Sequence, residues 1–231
     1  SAWDQIRLLN KNPKFVFATP GRLLDLYSRG KVDLSGFDIV VLDEVDQMLD
    51  MGFLNDIKKV VEVLKKPRQS LFFSATMKPK LEDVAMTLLD NPVKVEIAKS
   101  EAAKNVDQDV VKVGNKNKTE LLHDILIKTN YIKVLVFVKT KKGADELSKT
   151  LRMIGHQAEA IHSNKSLGQR NRVLSMFKDD RLNILVATDV ASRGIDVKDI
   201  SHVINYDEPA NYDDYIHRIG RTGRAGKPGK A

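Results

Sequence analysis

The chain of 231 residues contains no cysteine. Disulfides, thiolate-held metals and cysteine nucleophiles are therefore excluded, and the composition suits a reducing compartment. No apolar run approaches the ~20 residues that cross a bilayer. The opening residues, Ser1-Ala2-Trp3-Asp4-Gln5, lack the basic segment and apolar core of a secretory signal. These absences set the expectation of a cytoplasmic protein with no membrane contact. Also missing is any G-x-x-x-x-G-K-S/T phosphate-binding loop. The nearest look-alike, residues 220–228, has the wrong glycine spacing and places Pro228 where a hydroxyl is needed.

What is present begins with charge. Residues 1–98 carry 14 Lys/Arg against 14 Asp/Glu, while residues 99–231 carry 24 against 17, so the second part holds all of the net +7. A basic half points to a polyanionic partner, most commonly nucleic acid. A solvated basic surface has the same composition.

Short apolar runs recur: Phe15-Val16-Phe17, Ile39-Val40-Val41-Leu42, Leu71-Phe72-Phe73, Val134-Leu135-Val136-Phe137-Val138, Ile184-Leu185-Val186 and His202-Val203-Ile204. None alternates with polar residues, as expected of strands covered on both faces of a parallel sheet. Helical stripes separate them, over residues 54–64, 79–89, 118–127, 144–154 and 169–177. This alternation predicts a doubly wound α/β fold. The polar stretch at residues 98–107, with Val106 as its single long apolar residue, coincides with the charge shift and reads as a break between two units. The default ligand site of such a pair is the crevice at the carboxyl ends of the strands.

Five segments carry chemistry. Asp43-Glu44-Val45-Asp46 leaves a buried strand at its C-terminal end. A metal-holding aspartate belongs there, beside a glutamate placed to deprotonate water; an acidic helix cap is the ordinary alternative. Ser74-Ala75-Thr76 ends the next strand with two hydroxyls. Thr19-Pro20-Gly21-Arg22 opens a helix in a manner suited to phosphate. Thr188 to Asp196 places Thr, Arg, Gly and two Asp within nine positions. In His217-Arg218-Ile219-Gly220-Arg221-Thr222-Gly223-Arg224, glycines permit close backbone approach and planar guanidiniums suit bidentate phosphate binding.

Taken in order, with Val136-Phe137-Val138-Lys139-Thr140, these segments resemble the DEAD-box RNA helicases of superfamily 2. The resemblance covers nearly the whole chain, including Met48-Leu49-Asp50-Met51-Gly52-Phe53, and its texture looks bacterial. It implies two RecA-like parallel-sheet domains. Residues 1–98 would be the later portion of the ATP-binding domain, 99–107 a linker, and 108–231 the C-terminal domain without its last strand. It further implies ATP and Mg²⁺ as cofactors and RNA as partner, bound through its backbone by a monomer. Asp43 would hold the metal and Glu44 activate the water. Arg221 and Arg224 would be arginine fingers at the γ-phosphate, with His217 contacting the Asp-Glu-Val-Asp turn. Gly194 and Asp196 would touch the nucleotide. Asp46, Ser74 and Thr76 would couple the ATP site to the domain interface. Thr19, Gly21, Arg22, Thr140, Thr188 and Arg193 would line the RNA backbone, giving little sequence preference.

The sequence departs from the family at three places. Val45 stands where the family has Ala, a change of packing rather than chemistry. In residues 162–170, Ser163 replaces a Gly and Leu167 a Gln, while Arg170 is kept. The phosphate-binding loop, which in the family precedes Thr-Pro-Gly-Arg, is absent. The expectation is therefore a chain cut at both ends of an ATP-dependent unwinding enzyme and inactive by itself. A non-catalytic RNA-binding scaffold and a DNA-directed motor are the rival readings.

Overall fold

The computed structural model describes residues 2–77, 79–96, 105–192, 197–224 and 226–231. The chain divides into two compact units, residues 1–96 and 97–231. Among the described residues, no helix is long and apolar enough to cross a membrane.

The first unit runs α1 (Ala2–Leu9), α2 (Pro20–Ser28), β1 (Ile39–Leu42), α3 (Val45–Asp50), α4 (Leu54–Val63), β2 (Gln69–Phe72) and α5 (Pro79–Leu88). β1 and β2 pair in parallel, from Ile39 opposite Gln69 to Leu42 opposite Phe72. The 3.6-residue stripe of α4 buries Ile57, Val60 and Val61. Val40 packs with Leu34, Val60 and Leu64, and Leu42 with Val45, Ile57 and Leu81. The alternate residues Ile39 and Val41 remain 54 % and 53 % exposed. Successive strand residues face opposite sides, so this sheet is covered on one face only, contrary to the expectation of two. Phe15-Val16-Phe17 also departs from expectation. It forms no strand, and Phe15 and Phe17 are 78 % and 95 % exposed. A strand exists only by pairing, and no described segment pairs with it.

The second unit contains β3 (Val106–Asp107), α6 (Lys118–Lys128), β4 (Lys133–Phe137), α7 (Lys141–Met153), β5 (Ala158–Ile161), α8 (Leu167–Lys178), β6 (Ile184–Ala187), α9 (Asp189–Ser192), β7 (Ile200–Asn205), α10 (Tyr212–Ile219) and β8 (Gly229–Lys230). Its sheet has the order β3-β8-β7-β4-β6-β5 with every pairing parallel. Here both faces are covered. Leu135, Phe137, Leu185 and Ala187 pack with Val173 and Phe177 of α8. Val134, Val136, Ile184 and Val186 pack with α6 and α7 through Leu122, Leu126, Leu147 and Leu151.

Two expectations about boundaries are corrected by pairing. Val106 and Asp107, read as linker, join the sheet opposite Gly229 and Lys230, with Val106 5 % exposed. Gly229–Lys230 is itself a short strand beside β7, where the sequence reading placed none. The chain reverses direction across the sheet at β4, whose neighbours are β6 and β7. The loops after these three strands therefore meet at the topological switch point.

Candidate functional site

In the first unit the site is built on the turn after β1. Asp43 and Glu44 are both exposed, and the Glu44 amide donates to Asp43 Oδ1 at 2.9 Å. Glu44 lies in the left-handed region, φ 52° and ψ 45°, a conformation that costs a non-glycine residue on the order of 1 kcal/mol. It makes no side-chain cap of α3. Val45 is fully buried among Ile57, Val61 and Leu81, and its departure from Ala is thus a matter of core packing, as expected.

Asp46 behaves unlike Asp43 and Glu44. It is 7 % exposed, and its Oδ2 accepts from both the amide and the hydroxyl of Thr76, at 3.0 and 3.1 Å. Ser74 donates its hydroxyl to the Thr76 carbonyl at 2.6 Å. The two strand-end turns are thereby locked together within one unit. Thr19 precedes α2 without a side-chain cap, and Pro20 opens the helix. Thr19, Gly21 and Arg22 are exposed. Arg22 holds Asp25 at 2.9 Å, an exposed pair of small worth that a phosphate could replace.

In the second unit the governing residue is Arg218, 3 % exposed. Its Nε and Nη2 donate to the two oxygens of Asp189 at 2.6 and 2.8 Å. Its Nη1 donates to Asn205 Oδ1 at 3.1 Å and to the Asp207 carbonyl at 2.6 Å. The guanidinium also lies over the Phe137 ring, 5.0 Å from its centroid. One of the three arginines is thus committed to the fold, its buried guanidinium held bidentately by the half-buried Asp189 and joining the segment after β6 to α10. A small recess beside it is lined by Asp189, Ser192, Asp214, His217, Arg218 and Arg221. Arg224 is exposed, its Nε donating to the Gly220 carbonyl at 2.7 Å.

Thr140 is exposed and caps α7, its Oγ1 accepting the Gly143 amide at 2.9 Å. A Cβ at position 143 would lie 2.9 Å from that oxygen, so glycine keeps the cap open. Thr188, expected along the RNA path, is largely covered. It is 8 % exposed, and its carbonyl accepts the amides of Ala191 and Ser192 at 3.0 Å each, which makes it part of the framework of α9. Arg193, Gly194 and Asp196 lie outside the described residues.

The loop that departs from the family is clasped to α7. His162 is 3 % exposed and meets Asp145 at 2.9 Å, while Lys165 pairs with the other oxygen at 2.8 Å. Burial pushes Asp145 upward, but hydrogen bonds from Lys165 and His162 outweigh it and hold the carboxyl below its ordinary value. Gln169 forms a capping box with Ser166, so it does not substitute for the glutamine missing at Leu167, which is 71 % exposed. Sequence reasoning missed the roles of Asp189, Asn205 and Asp207. The signal for Asp189 was its place in the Thr-Asp-Val-Ala-Ser segment; the other two carry none outside the fold.

Two family profiles match the chain: "DEAD/DEAH box helicase" over residues 1–84 and "Helicase conserved C-terminal domain" over residues 117–226. The ATP-dependent RNA helicase DBP2 of Saccharomyces cerevisiae is 45 % identical over 233 residues, covering 99 % of this chain and 43 % of the yeast protein. The chain belongs to the DEAD-box helicase family. The ATP-dependent RNA helicase CshA of Listeria monocytogenes is 43 % identical over 228 residues, covering 98 % of this chain and 44 % of its own length. The chain thus spans less than half the length of these curated relatives. Relatives this similar occur in yeast and Listeria alike, so the bacterial texture read from the sequence gains no support. Among solved structures, S. cerevisiae Dbp5 bound to RNA and ADP BeF3 matches with a TM-score of 0.79 at 32 % identity, over 92 % of this chain and 57 % of that one. The parallel, helix-flanked sheets of the two units are those of RecA-like helicase domains.

Proposed function

We propose that these residues serve an ATP-dependent RNA helicase, which couples ATP hydrolysis to RNA binding and to local duplex unwinding or ribonucleoprotein remodelling. The observation that carries this reading is the division of labour after β1. Asp43 and Glu44 stand exposed at the strand end, while Asp46, two residues on, is buried and committed to Thr76.

The donor set fits Mg²⁺. Among the described residues there is no cluster of three or more metal-binding side chains. A single carboxylate suits a cation that keeps most of its water and takes phosphate oxygens. Asp43 would hold it, and when bound with ATP it supplies charge neutralisation at the phosphates. Glu44 would orient and deprotonate the attacking water. Arg221 and Arg224 would stabilise negative charge developing at the γ-phosphate, with His217 beside them; Gly194 and Asp196 would contact the nucleoside. Thr19, Gly21 and Arg22 in one unit, with Thr140 and Arg193 in the other, would grip RNA through its backbone. Thr188, though only 8 % exposed, would join them along the RNA backbone. A cysteine-free chain that acts on RNA as a monomer fits a cytoplasmic setting.

The test is RNA-stimulated phosphate release. Residues 1–231 contain no phosphate-binding loop sequence, and by themselves are expected to release none. In a chimaera that places the corresponding upstream segment of yeast DBP2 before residue 1, release should rise with RNA. Glu44→Gln and Arg221→Ala should each abolish that rise while RNA binding persists. Undiminished stimulation in Glu44→Gln would refute the assignment.

A further inference from the structure

Asp207 lies two residues beyond β7 and touches three segments through four different atoms. Its amide donates to the Phe137 carbonyl at 3.0 Å, extending the β4–β7 ladder. In a regular parallel ladder the bonds are evenly spaced, and the next one would run from the Lys139 amide to the Asp207 carbonyl. Here the Lys139 amide donates instead to the carboxylate, at 2.8 Å to Oδ2. The side chain has taken over the main-chain acceptor's role. The freed carbonyl accepts Arg218 Nη1 at 2.6 Å. The other carboxylate oxygen pairs with Lys118 of α6 at 3.1 Å, whose ammonium also lies 4.4 Å from the centroid of the Tyr206 ring.

One residue therefore fixes Lys139, immediately before Thr140 and the start of α7, and Arg218, immediately after His217 and three residues before Arg221. We propose that Asp207 is a positioning residue that sets the RNA-facing turn after β4 and the arginine-bearing helix α10 in register with each other. The proposal rests on the reading of Thr140 as a contact to the RNA backbone. Asp207 itself would touch neither RNA nor nucleotide. An uncapped Lys139 amide would leave the turn free to shift, and a shift of about 1 Å at a positioned contact is costly. Loss of such a backbone anchor should weaken binding several-fold.

The experiment compares wild-type residues 1–231 with Asp207→Ala, Asp207→Asn, Thr140→Ala and the double variant Asp207→Ala/Thr140→Ala. Two readouts are taken: amide hydrogen exchange and affinity for fluorescent single-stranded RNA. Asparagine retains an oxygen that can accept the Lys139 amide, whereas alanine does not. Asp207→Ala should lose protection at the Lys139 amide while Leu135 and Val136, inside β4, stay protected, which separates a local change from unfolding. Its RNA affinity should fall roughly five- to tenfold. Asp207→Asn should stay within about twofold of wild type, and the loss should be much smaller when Thr140 is already alanine. Unchanged Lys139 exchange in Asp207→Ala would overturn the proposal. Equal affinity losses in the Ala and Asn variants, or fully additive losses with Thr140→Ala, would do so as well. If wild type binds no RNA, the RNA reading falls, and with it the coupling assigned to Asp207; Lys139 exchange then reports only whether the side chain caps the turn.

Discussion

The two sheets of this chain are built from similar strands and end in different states. Ile39-Val40-Val41-Leu42 and Val134-Leu135-Val136-Phe137 are equally apolar. In β4 every residue is buried, because α6 and α7 cover one face and α8 the other. In β1 alternate residues are exposed, because only one face has helices against it. An apolar run thus states what a strand needs, and the rest of the chain decides whether it is provided.

The largest expected effect of this difference is on autonomy. Residues 105–231 should unfold in a single cooperative step in urea, whereas residues 1–96, with one sheet face bare, should show a weak or non-cooperative transition. Starting the second piece at 108 would strip β3 and lower its midpoint. A first piece that is the more stable of the two would break the comparison.

Within the second unit, Arg218→Ala should destabilise by ~1–3 kcal/mol, because it leaves Asp189, Asn205 and the Asp207 carbonyl without their common donor. Arg218→Lys should rescue little, since lysine cannot reproduce the bidentate fork. Denaturant midpoints of the separate unit measure both. A loss below about 1 kcal/mol would mean the pair is dispensable.

Matched truncations sharpen the contrast between the sheets. Leu135→Ala should cost ~2–5 kcal/mol as a buried cavity, and Val41→Ala about 0.5 kcal/mol or less as a surface change. Comparable losses would show that β1 is covered on both faces in solution.

The element pattern was legible because helices announce themselves by local periodicity. All five helical stripes read from the sequence correspond to helices, α4 to α8. The two-residue strands β3 and β8 were not, since β3 exists only through β8, more than a hundred residues away, and β8 only through β3 and β7. In the candidate site, the exposed pair Asp43 and Glu44 could be found from its position after a hydrophobic strand. Arg218 could not be separated from Arg221 and Arg224, because one guanidinium's burial depends on Asp189, Asn205 and Asp207 converging from other segments. Thr188 likewise reads as a surface hydroxyl until its burial is seen.

The smallest expected effect is on pH dependence. All five histidines lie in the second unit. Burial, and then the neighbouring His123, holds His156 below its ordinary 6.5, and burial followed by Lys230 does the same to His202. The unfolded chain takes up these protons near 6.5 and the folded unit only at lower pH. Their contribution is therefore intact above 6.5 and lost as pH falls below it toward the depressed values. The midpoint of the second unit should fall between about pH 7.5 and 5, while that of the first stays nearly level. His156→Gln should make the slope shallower; an unchanged slope would remove His156 from the account.

The proposed function has RNA held through its backbone mainly by the basic second unit, with Arg221 meeting nucleotide phosphate instead. Titration of single-stranded RNA into residues 1–231 at several salt concentrations tests it most directly, using wild type, Arg193→Ala and Arg221→Ala without ATP. Weak, salt-sensitive binding is predicted for unrelated RNA sequences. Arg193→Ala should weaken it equally for all of them and flatten the log–log salt slope by roughly 0.7 of a unit. Arg221→Ala should leave it nearly unchanged. A larger loss in Arg221→Ala than in Arg193→Ala would contradict the account.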